Sequence, residues 1–359
     1  MNKMEFNQKP SIRWSLGTSY DLFASLHVLH HPDRFGLRPA WAAGVRSRLS
    51  APQRSILEDS QILFFNSPIA WISSLPEPKN ASTAIRFLSR VKPSELLPFL
   101  SYHSDLPSSV LGMLNRVRSS ESWTQNELEQ LQSYFRQKND PVSSDKLVTI
   151  LKGWASSAEF GERYVEALQS YMEVFFAEEE RRISPYLQQA LDTARVKAAD
   201  LDFSSLMVEL SQGVKIAAFE EADLVSFAPS YWITPLVMYD SIELQKWTVL
   251  FGARPSDVSL VPGEVVPDAM LRTLKALSDP TRLLVLHYLH DQPATPTQLA
   301  RKLRLRAPTV VHHLNALRLA GLVYISMEFE EEKRYTVRSA ALAETFENLA
   351  RFISDSGEQ

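Results

Sequence analysis

The sequence predicts a mostly α-helical protein with a large helical N-terminal domain, which carries a small β element, and a smaller C-terminal domain. Three observations support this fold class. From residue 16 to about residue 220 the apolar residues recur mainly at helical spacing. Near residues 222–253 they occur instead in short β-branched and aromatic runs. Beyond residue 269 the predicted elements are short and are separated by clear turn and capping signals.

The composition is that of an ordinary globular protein. The chain has 359 residues, of which 45% are apolar and 22% are charged, and its formal net charge is −4. It contains no cysteine, which excludes disulfides and thiolate metal sites. No apolar run is long enough for a signal peptide or a membrane span, so we expect a cytoplasmic protein that does not bind a membrane.

The N-terminal domain is predicted to consist of helices that end at proline-bearing turns. The stretch 164–199 is typical of a long helix in which Pro185 marks a break or a kink. The runs LVSFAPS, ITPLVMYD and QKWTVLFGA, within residues 214–253, predict short strands in a meander or a pair of hairpins. Residues 252–269 gather glycine, proline, serine and acidic residues, as a linker does. We therefore place the domain boundary inside this linker, which gives domains 1–262 and 263–359.

The helices of the C-terminal domain have clear start signals. Asp279 is a predicted N-cap, and the apolar run after it must be buried on most sides. TPTQLARKL predicts a second helix with Thr295 as its cap and Gln298 completing a capping box. A third helix within RAPTVVHHLNALRLAGLV, residues 306–323, precedes two strands and a last amphipathic helix. The order helix, helix, helix, hairpin, helix is typical of a winged helix-turn-helix.

The third helix combines a buried face with basic, acid-free surroundings. Val310, Leu314 and Leu317 recur at the spacing of a helix that lies on a core, and His312 and Asn315 therefore point away from it. Residues 292–327 contain no acidic residue but five basic ones: Arg301, Lys302, Arg304, Arg306 and Arg318. Because neutralisation of phosphates supplies much of the affinity for DNA, this pattern predicts a recognition helix for double-stranded DNA.

Three segments, LKALSDPTRLLVLHYL, TPTQLARKLRLRAPTVVHHLNALRLAGLVYISME and KRYTV, resemble the winged-helix domain of the ArsR-type bacterial transcriptional repressors. The resemblance covers about residues 270–353. It implies a homodimer in which the helices before and after the winged motif form the dimer contact and each recognition helix enters a major groove. The preceding part is more weakly similar to a helical region that accompanies this domain in some large members, and no chemistry is assigned to it.

Ten residues are candidate DNA contacts on this basis. Arg306 and Ala307 stand where the family usually has a Ser-Gln type pair, which removes a helix cap but adds an arginine suited to guanine or phosphate. Val311 replaces a common serine and suits a thymine methyl group. The wing tip EFEEEK is acidic, which leaves Lys333 and Arg334 as its best contacts. The full set is Arg301, Arg304, Arg306, Thr309, Val311, His312, Asn315, Arg318, Lys333 and Arg334.

Metal sensing is the best-known activity of the resembled family, but we expect neither a metal nor another cofactor here. The chain has no cysteine, and residues 339–359 contain no histidine. His27, His30 and His31 have a usable ligand spacing, but we interpret them as a solvated helix end. We also expect no enzyme, because the sequence has no G-x-S-x-G, phosphate-binding loop or H-E-x-x-H motif.

A minimal winged-helix dimer does not need an additional region as large as the first 262 residues. These residues also hold all seven tryptophans. These tryptophans either pack in a core or line a pocket for an effector. We expect an effector-sensing domain for a small apolar or aromatic molecule, and therefore a ligand-controlled, sequence-specific repressor. The alternative, favoured by the acidic wing, is a protein-interaction adaptor that kept the winged fold and does not bind DNA.

Overall fold

The computed structural model describes residues 10–35, 37–65, 67–102, 106–138, 142–260, 266–327 and 333–354. Within these residues the chain is mainly helical, with two small sheets, so the fold class expected from the sequence is confirmed. The buried hydrophobic side chains form three clusters, and the C-terminal cluster draws only on residues 276–342. No helix in the described part of the chain is both long enough and apolar enough to cross a membrane.

The first helix of the chain is almost entirely buried. Nearly every residue from Thr18 to Leu29 is buried in it, as expected for a helix with neighbours on all sides. The helices are α1 (Thr18–His30), α2 (Pro39–Arg46), α3 (Ala51–Leu63), α4 (Ala81–Leu88), α5 (Pro93–Ser101), α6 (Ser108–Ser120), α7 (Gln125–Gln137), α8 (Ser144–Ala155), α9 (Ser157–Tyr171), α10 (Ala177–Asp200), α11 (Phe203–Leu210) and α12 (Ala217–Glu220).

The long helix expected over 164–199 is interrupted at a different place from the one predicted. A π-helical turn, Met172–Phe176, separates α9 from α10, whereas α10 continues through Pro185. The wider π turn shifts the helical register, and both Phe175 and Phe176 are buried there. The predicted break at Pro185 is therefore wrong, and the interruption lies at Met172–Phe176 instead.

The strands expected near residues 222–253 form one sheet with a strand from the N-terminus. β1 (Ser11–Trp14), β3 (Leu224–Ser230), β5 (Lys246–Gly252) and β4 (Met238–Glu243) lie side by side in that order. The first three strands are parallel, and β4 runs antiparallel to β5. The sequence therefore predicted these strands but not their pairing, which is a single hairpin extended by two parallel neighbours.

The C-terminal elements follow the expected order. They are α13 (Asp268–Leu277), α14 (Pro280–Asp291), α15 (Pro296–Leu303), α16 (Ala307–Leu319), β6 (Val323–Met327), β7 (Arg334–Val337) and α17 (Ser339–Ser354). The predicted caps are confirmed, since Asp279 accepts from the backbone N–H of Arg282 and Thr295 forms a capping box with Gln298. The expectation that the apolar run of α14 is buried on most sides is wrong, because Leu283 and Leu284 are each 49% exposed.

The two parts of the chain are joined by more than the linker. A further strand, β2 (Val214–Ile216), pairs in parallel with β6 and makes a sheet of order β2-β6-β7. Across the predicted linker, Arg254 forms an ion pair with Asp268 of α13 at 3.1 Å. The start of the predicted linker is also packed, since Leu260 is only 1% exposed. The predicted boundary at residue 262 lies outside the described residues.

Candidate nucleic-acid interface

The predicted recognition helix, α16, is held in place by its buried apolar side chains. Val310, Leu314 and Leu317 are fully buried in the C-terminal cluster. Burial of such side chains stabilises the fold by about 1.5–3 kcal/mol each, which ties α16 to α14 and α15. The opposite face is therefore presented to solvent. As expected, Arg306 precedes this helix without forming a side-chain cap.

Eight of the ten candidate DNA contacts are exposed. Three arginines surround the turn between α15 and α16, where Arg304 adopts a left-handed backbone conformation with φ of 55°. None of these guanidinium groups forms an ion pair with an acidic side chain among the described residues, so their charge is available to an external anion. The exposed candidates are Arg301, Arg304, Arg306, Thr309, Val311, His312, Asn315 and Lys333.

Arg318 is set apart from the other candidates. It is half-buried near the end of α16, and burial lowers the pKa of its guanidinium, an effect that nearby Tyr335 and Tyr239 oppose. It also lines a small cavity with Gln212 and Leu236 of the N-terminal part. The structure thus turns Arg318 toward the junction of the two parts and not toward the exposed face. Sequence spacing alone could not reveal this, because the neighbours come from distant segments.

Two of the candidate contacts, Lys333 and Arg334, lie in the described part of the wing. Lys333 is exposed and Arg334, on β7, is half-buried. The acidic wing tip, residues 328–332, lies outside the described residues.

The two adjacent histidines of α16 have different surroundings. His312 is exposed with the other candidates, whereas His313 is half-buried and its Nδ1 lies 4.0 Å from Oδ1 of Asp279. The pKa of Asp279 is lowered, mainly by the hydrogen bond that the backbone N–H of Arg282 donates to it. His313 therefore faces the cap of α14, whereas His312 lies on the exposed face of α16.

Sequence reasoning missed a second feature, a cleft between α13, α17 and the N-terminal part. This junction cleft has a volume of about 520 Å³, and four arginines line it: Arg254, Arg272, Arg338 and Arg351. Its N-terminal wall includes Thr234 and residues 254–257. The sequence signal was hidden because residues 252–269 have the composition of an unstructured linker.

The histidine cluster near the N-terminus is not the solvated helix end that we expected. Burial lowers the pKa of both His27 and His31 to about 4. The Nδ1 atom of His27 lies 3.2 Å from Oε1 of Gln61. Among the described residues no three histidine, aspartate or glutamate side chains lie together as a metal site, and the absence of cysteine leaves no thiolate. These residues do not fit the metal that the fold family implies.

The tryptophans of the N-terminal part are mainly core residues. Trp154 and Trp232 are fully buried, and Trp71 is 5% exposed. Trp41 stacks on Trp232 with 5.9 Å between the ring centroids. None of the seven tryptophans lines the junction cleft. This arrangement supports the core interpretation of these side chains over an aromatic pocket.

Comparisons with known proteins match the winged-helix segment. A family model described as "Bacterial regulatory protein, arsR family" matches residues 279–324. The chain is 36% identical over 90 residues to the HTH-type transcriptional regulator CmtR of Mycobacterium bovis and Mycobacterium tuberculosis, a match that covers 25% of this chain and 75% of CmtR. An ArsR-like transcriptional regulator from Rhodococcus sp. RHA1, a solved structure, is 31% identical; the match covers 24% of this chain and 81% of that one, with a TM-score of 0.23.

Proposed function

This chain belongs to the ArsR family of bacterial transcriptional regulators, and we propose that it is a sequence-specific DNA-binding repressor that acts as a homodimer under the control of a small molecule. The observation that carries the proposal is the exposed, acid-free face formed by α15, α16 and the turn between them. Such a face neutralises phosphates and presents α16 to a major groove.

The exposed side chains divide into two kinds of DNA contact. We assign Arg301 and Arg304, exposed at the end of α15, to phosphates, whose binding would fix the position of the helix. Val311, His312 and Asn315 are exposed on α16, and we assign them to base edges. The remaining exposed candidates, Arg306, Thr309 and Lys333, flank that face. Arg334 stays a wing candidate, whereas we assign Arg318 to the junction.

The homodimer is supported by an apolar stripe on α17. Phe346 is 56% exposed and Ile353 is 72% exposed, although both lie on the apolar side of an amphipathic helix. Leu342 and Leu349, on the same side, are half-buried. Exposed apolar side chains in a row mark an interaction surface, and a second copy of this chain is the partner that the family resemblance implies.

The direct test is DNA binding by the full chain. Duplexes selected from a random pool would be measured by fluorescence anisotropy as the salt concentration rises. We expect a preferred sequence and a steep loss of affinity with salt, because several arginines displace counterions. Absence of binding to any duplex at low salt would refute the proposal.

The adaptor function is the second candidate, and the acidic wing tip favours it. Replacement of Glu330, Glu331 and Glu332 by glutamine separates the two functions. A DNA-binding repressor should bind DNA equally well or more tightly after the change, since repulsion of phosphates is removed. An adaptor should instead lose its protein partner, which co-purification with each form of the chain would detect.

A further inference from the structure

The junction cleft lies between the N-terminal part and the winged-helix part of the chain. Control of DNA binding by a ligand would require a coupling between these two parts. One wall is formed by α13 and by a face of α17 that includes Thr345 and Asn348. The other wall is formed by Thr234, Pro235 and residues 254–257 of the N-terminal part. Its volume of about 520 Å³ is in the range of small-molecule sites. A ligand in the cleft would contact both parts at once.

The inner part of the cleft carries more guanidinium charge than carboxylate charge. The side chain of Arg254 is 2% exposed and that of Arg272 is 12% exposed, and both pair with the single carboxylate of Asp268. Arg254 donates from Nη1 to both oxygens of Asp268 at 3.1 Å, and Arg272 donates to Oδ2 at 2.5 Å. One carboxylate therefore balances two largely buried guanidinium groups.

Two further arginines have no carboxylate partner within the described part of the chain. Arg338 donates from Nη1 to the neutral Oε1 of Gln212 at 3.2 Å, and Arg351 is exposed on α17. No acidic side chain among the described residues lies within 4.0 Å of either guanidinium group. The two acidic residues that line the cleft, Asp257 and Glu344, are both exposed, so water screens their charge. Arg338 is half-buried, and no described carboxylate forms an ion pair with it.

The remaining lining combines apolar side chains with neutral polar ones such as Thr273 and Asn348. Met270 is 7% exposed, Phe352 is 37% exposed, and Leu319 and Pro235 complete the apolar surface. Apolar walls with a few polar groups are the usual form of a site that orients a small organic ligand. A guanidinium group binds a carboxylate through two parallel N–H bonds, which adds orientation to charge.

We propose that the junction cleft binds a small organic carboxylate, with its anionic head on Arg338 and Arg351 and its apolar body against Met270 and Phe352. The role of this cleft as the effector site of a repressor rests on the proposed function. It replaces the tryptophan-lined pocket that the sequence suggested and adds an anionic group to the expected apolar ligand. A ligand held by α13, α17 and residues 254–257 affects DNA binding because it stabilises one arrangement of these elements over another.

The test uses the full chain and simple probes, read without DNA. Benzoate, phenylacetate and hexanoate would be compared with their neutral amides at millimolar concentration and constant ionic strength, with the thermal midpoint as the readout. We expect at least one carboxylate to raise the midpoint saturably, because binding to the folded state stabilises it. The corresponding amide should have no effect.

Three variants locate the site. The double change Arg338→Gln and Arg351→Gln should weaken the apparent Kd for the carboxylate at least tenfold. Asn348→Phe, which keeps every charge and fills the cleft, should do the same and covers the case in which the arginine variant does not fold. Arg90→Gln, an exposed arginine that does not line the cleft, should bind as the unchanged chain does.

Several outcomes would overturn the site. They are no midpoint shift with any carboxylate, equal shifts with the amides, or undiminished binding by both cleft variants. A response to inorganic phosphate alone would overturn the ligand class. DNA affinity, measured separately, should change about fivefold or more with the bound carboxylate. A chain that binds carboxylate but no duplex refutes the repressor and keeps the site, whereas the reverse result refutes the site alone.

Discussion

At the scale of single residues, Arg306 is the side chain that distinguishes this recognition helix. It is exposed, has no acidic partner among the described residues and precedes α16 without capping it. Arg306 therefore does not have the capping role that polar residues usually have at this position. Its charge is left free for a guanine edge or a phosphate.

Arg306→Ala should weaken DNA binding by about 1–3 kcal/mol, the worth of a good arginine contact, and leave the thermal midpoint nearly unchanged. Anisotropy titrations with the preferred duplex would measure this, with Arg90→Ala as a control for the loss of a surface charge. A flatter salt dependence would identify a phosphate contact, and loss of sequence preference a base contact. Unchanged affinity would remove Arg306 from the interface.

The buried histidines predict a pH dependence of stability. The pKa values of His27 and His31 are lowered by burial to about 4 from an ordinary value of 6.5. Between these values the unfolded chain binds more protons than the folded chain, so the free energy of unfolding falls as the pH falls from 6.5 toward 4. Asp21 acts in the opposite direction, because burial raises its pKa to about 6.

The contribution of His27 can be isolated with His27→Gln. The thermal midpoint of the unchanged chain should drop between neutral pH and pH values near 5, and the drop should be smaller in the variant because one titrating group is missing. Asp21 and the other acidic residues are present in both proteins and cancel in the comparison. Equal drops would show that His27 does not titrate below its ordinary range.

At the scale of elements, local signals were predicted well and non-local pairing was not. The caps at Asp279 and Thr295 and the stripe of α16 depend on residues a few positions apart, so the sequence shows them. β1 and β2 have four and three residues, too few for a periodic pattern, and each forms only because a distant strand pairs with it. The exposed face of the candidate site was thus foreseen, whereas the position of Arg318 and the junction cleft were not.

The apolar stripe of α17 provides a test of the dimer. Phe346→Glu combined with Ile353→Glu should convert the dimer to a monomer, because the acidic groups would have to be buried at the interface without partners. Light scattering after size exclusion would measure the mass. Both side chains are mostly exposed, so the fold of one chain should persist by circular dichroism. Glu347→Gln, off the stripe, should keep the dimer, and a dimer in both variants would contradict this interface.

At the scale of the whole molecule, the N-terminal part is attached to the wing by a shared sheet. The N–H of Ile325 on β6 donates to the carbonyl of Gly213 at 3.1 Å, just before β2. The guanidinium group of Arg338, which precedes α17, donates a hydrogen bond to the side chain of Gln212. These contacts connect the segment 212–216 to a strand of the wing. A rearrangement of the N-terminal part that moves this segment therefore also moves β6, which leads from the recognition helix into the wing.

A single methyl group added at Gly213 tests the attachment of the N-terminal part to the wing. Its φ is +103°, and a Cβ there would lie 1.3 Å from Cδ1 of Tyr324, so alanine is excluded by both backbone conformation and space. Gly213→Ala should lower the thermal midpoint and separate β2 from β6. Hydrogen exchange of the Ile325 amide should become faster by an order of magnitude or more, while amides in α16 stay protected. Gly44→Ala, where a Cβ meets no atom within 4 Å, is the matched control and should not change exchange at Ile325. If exchange at Ile325 is the same in both variants, the shared sheet does not hold the wing, and any coupling must run through other contacts between the two parts.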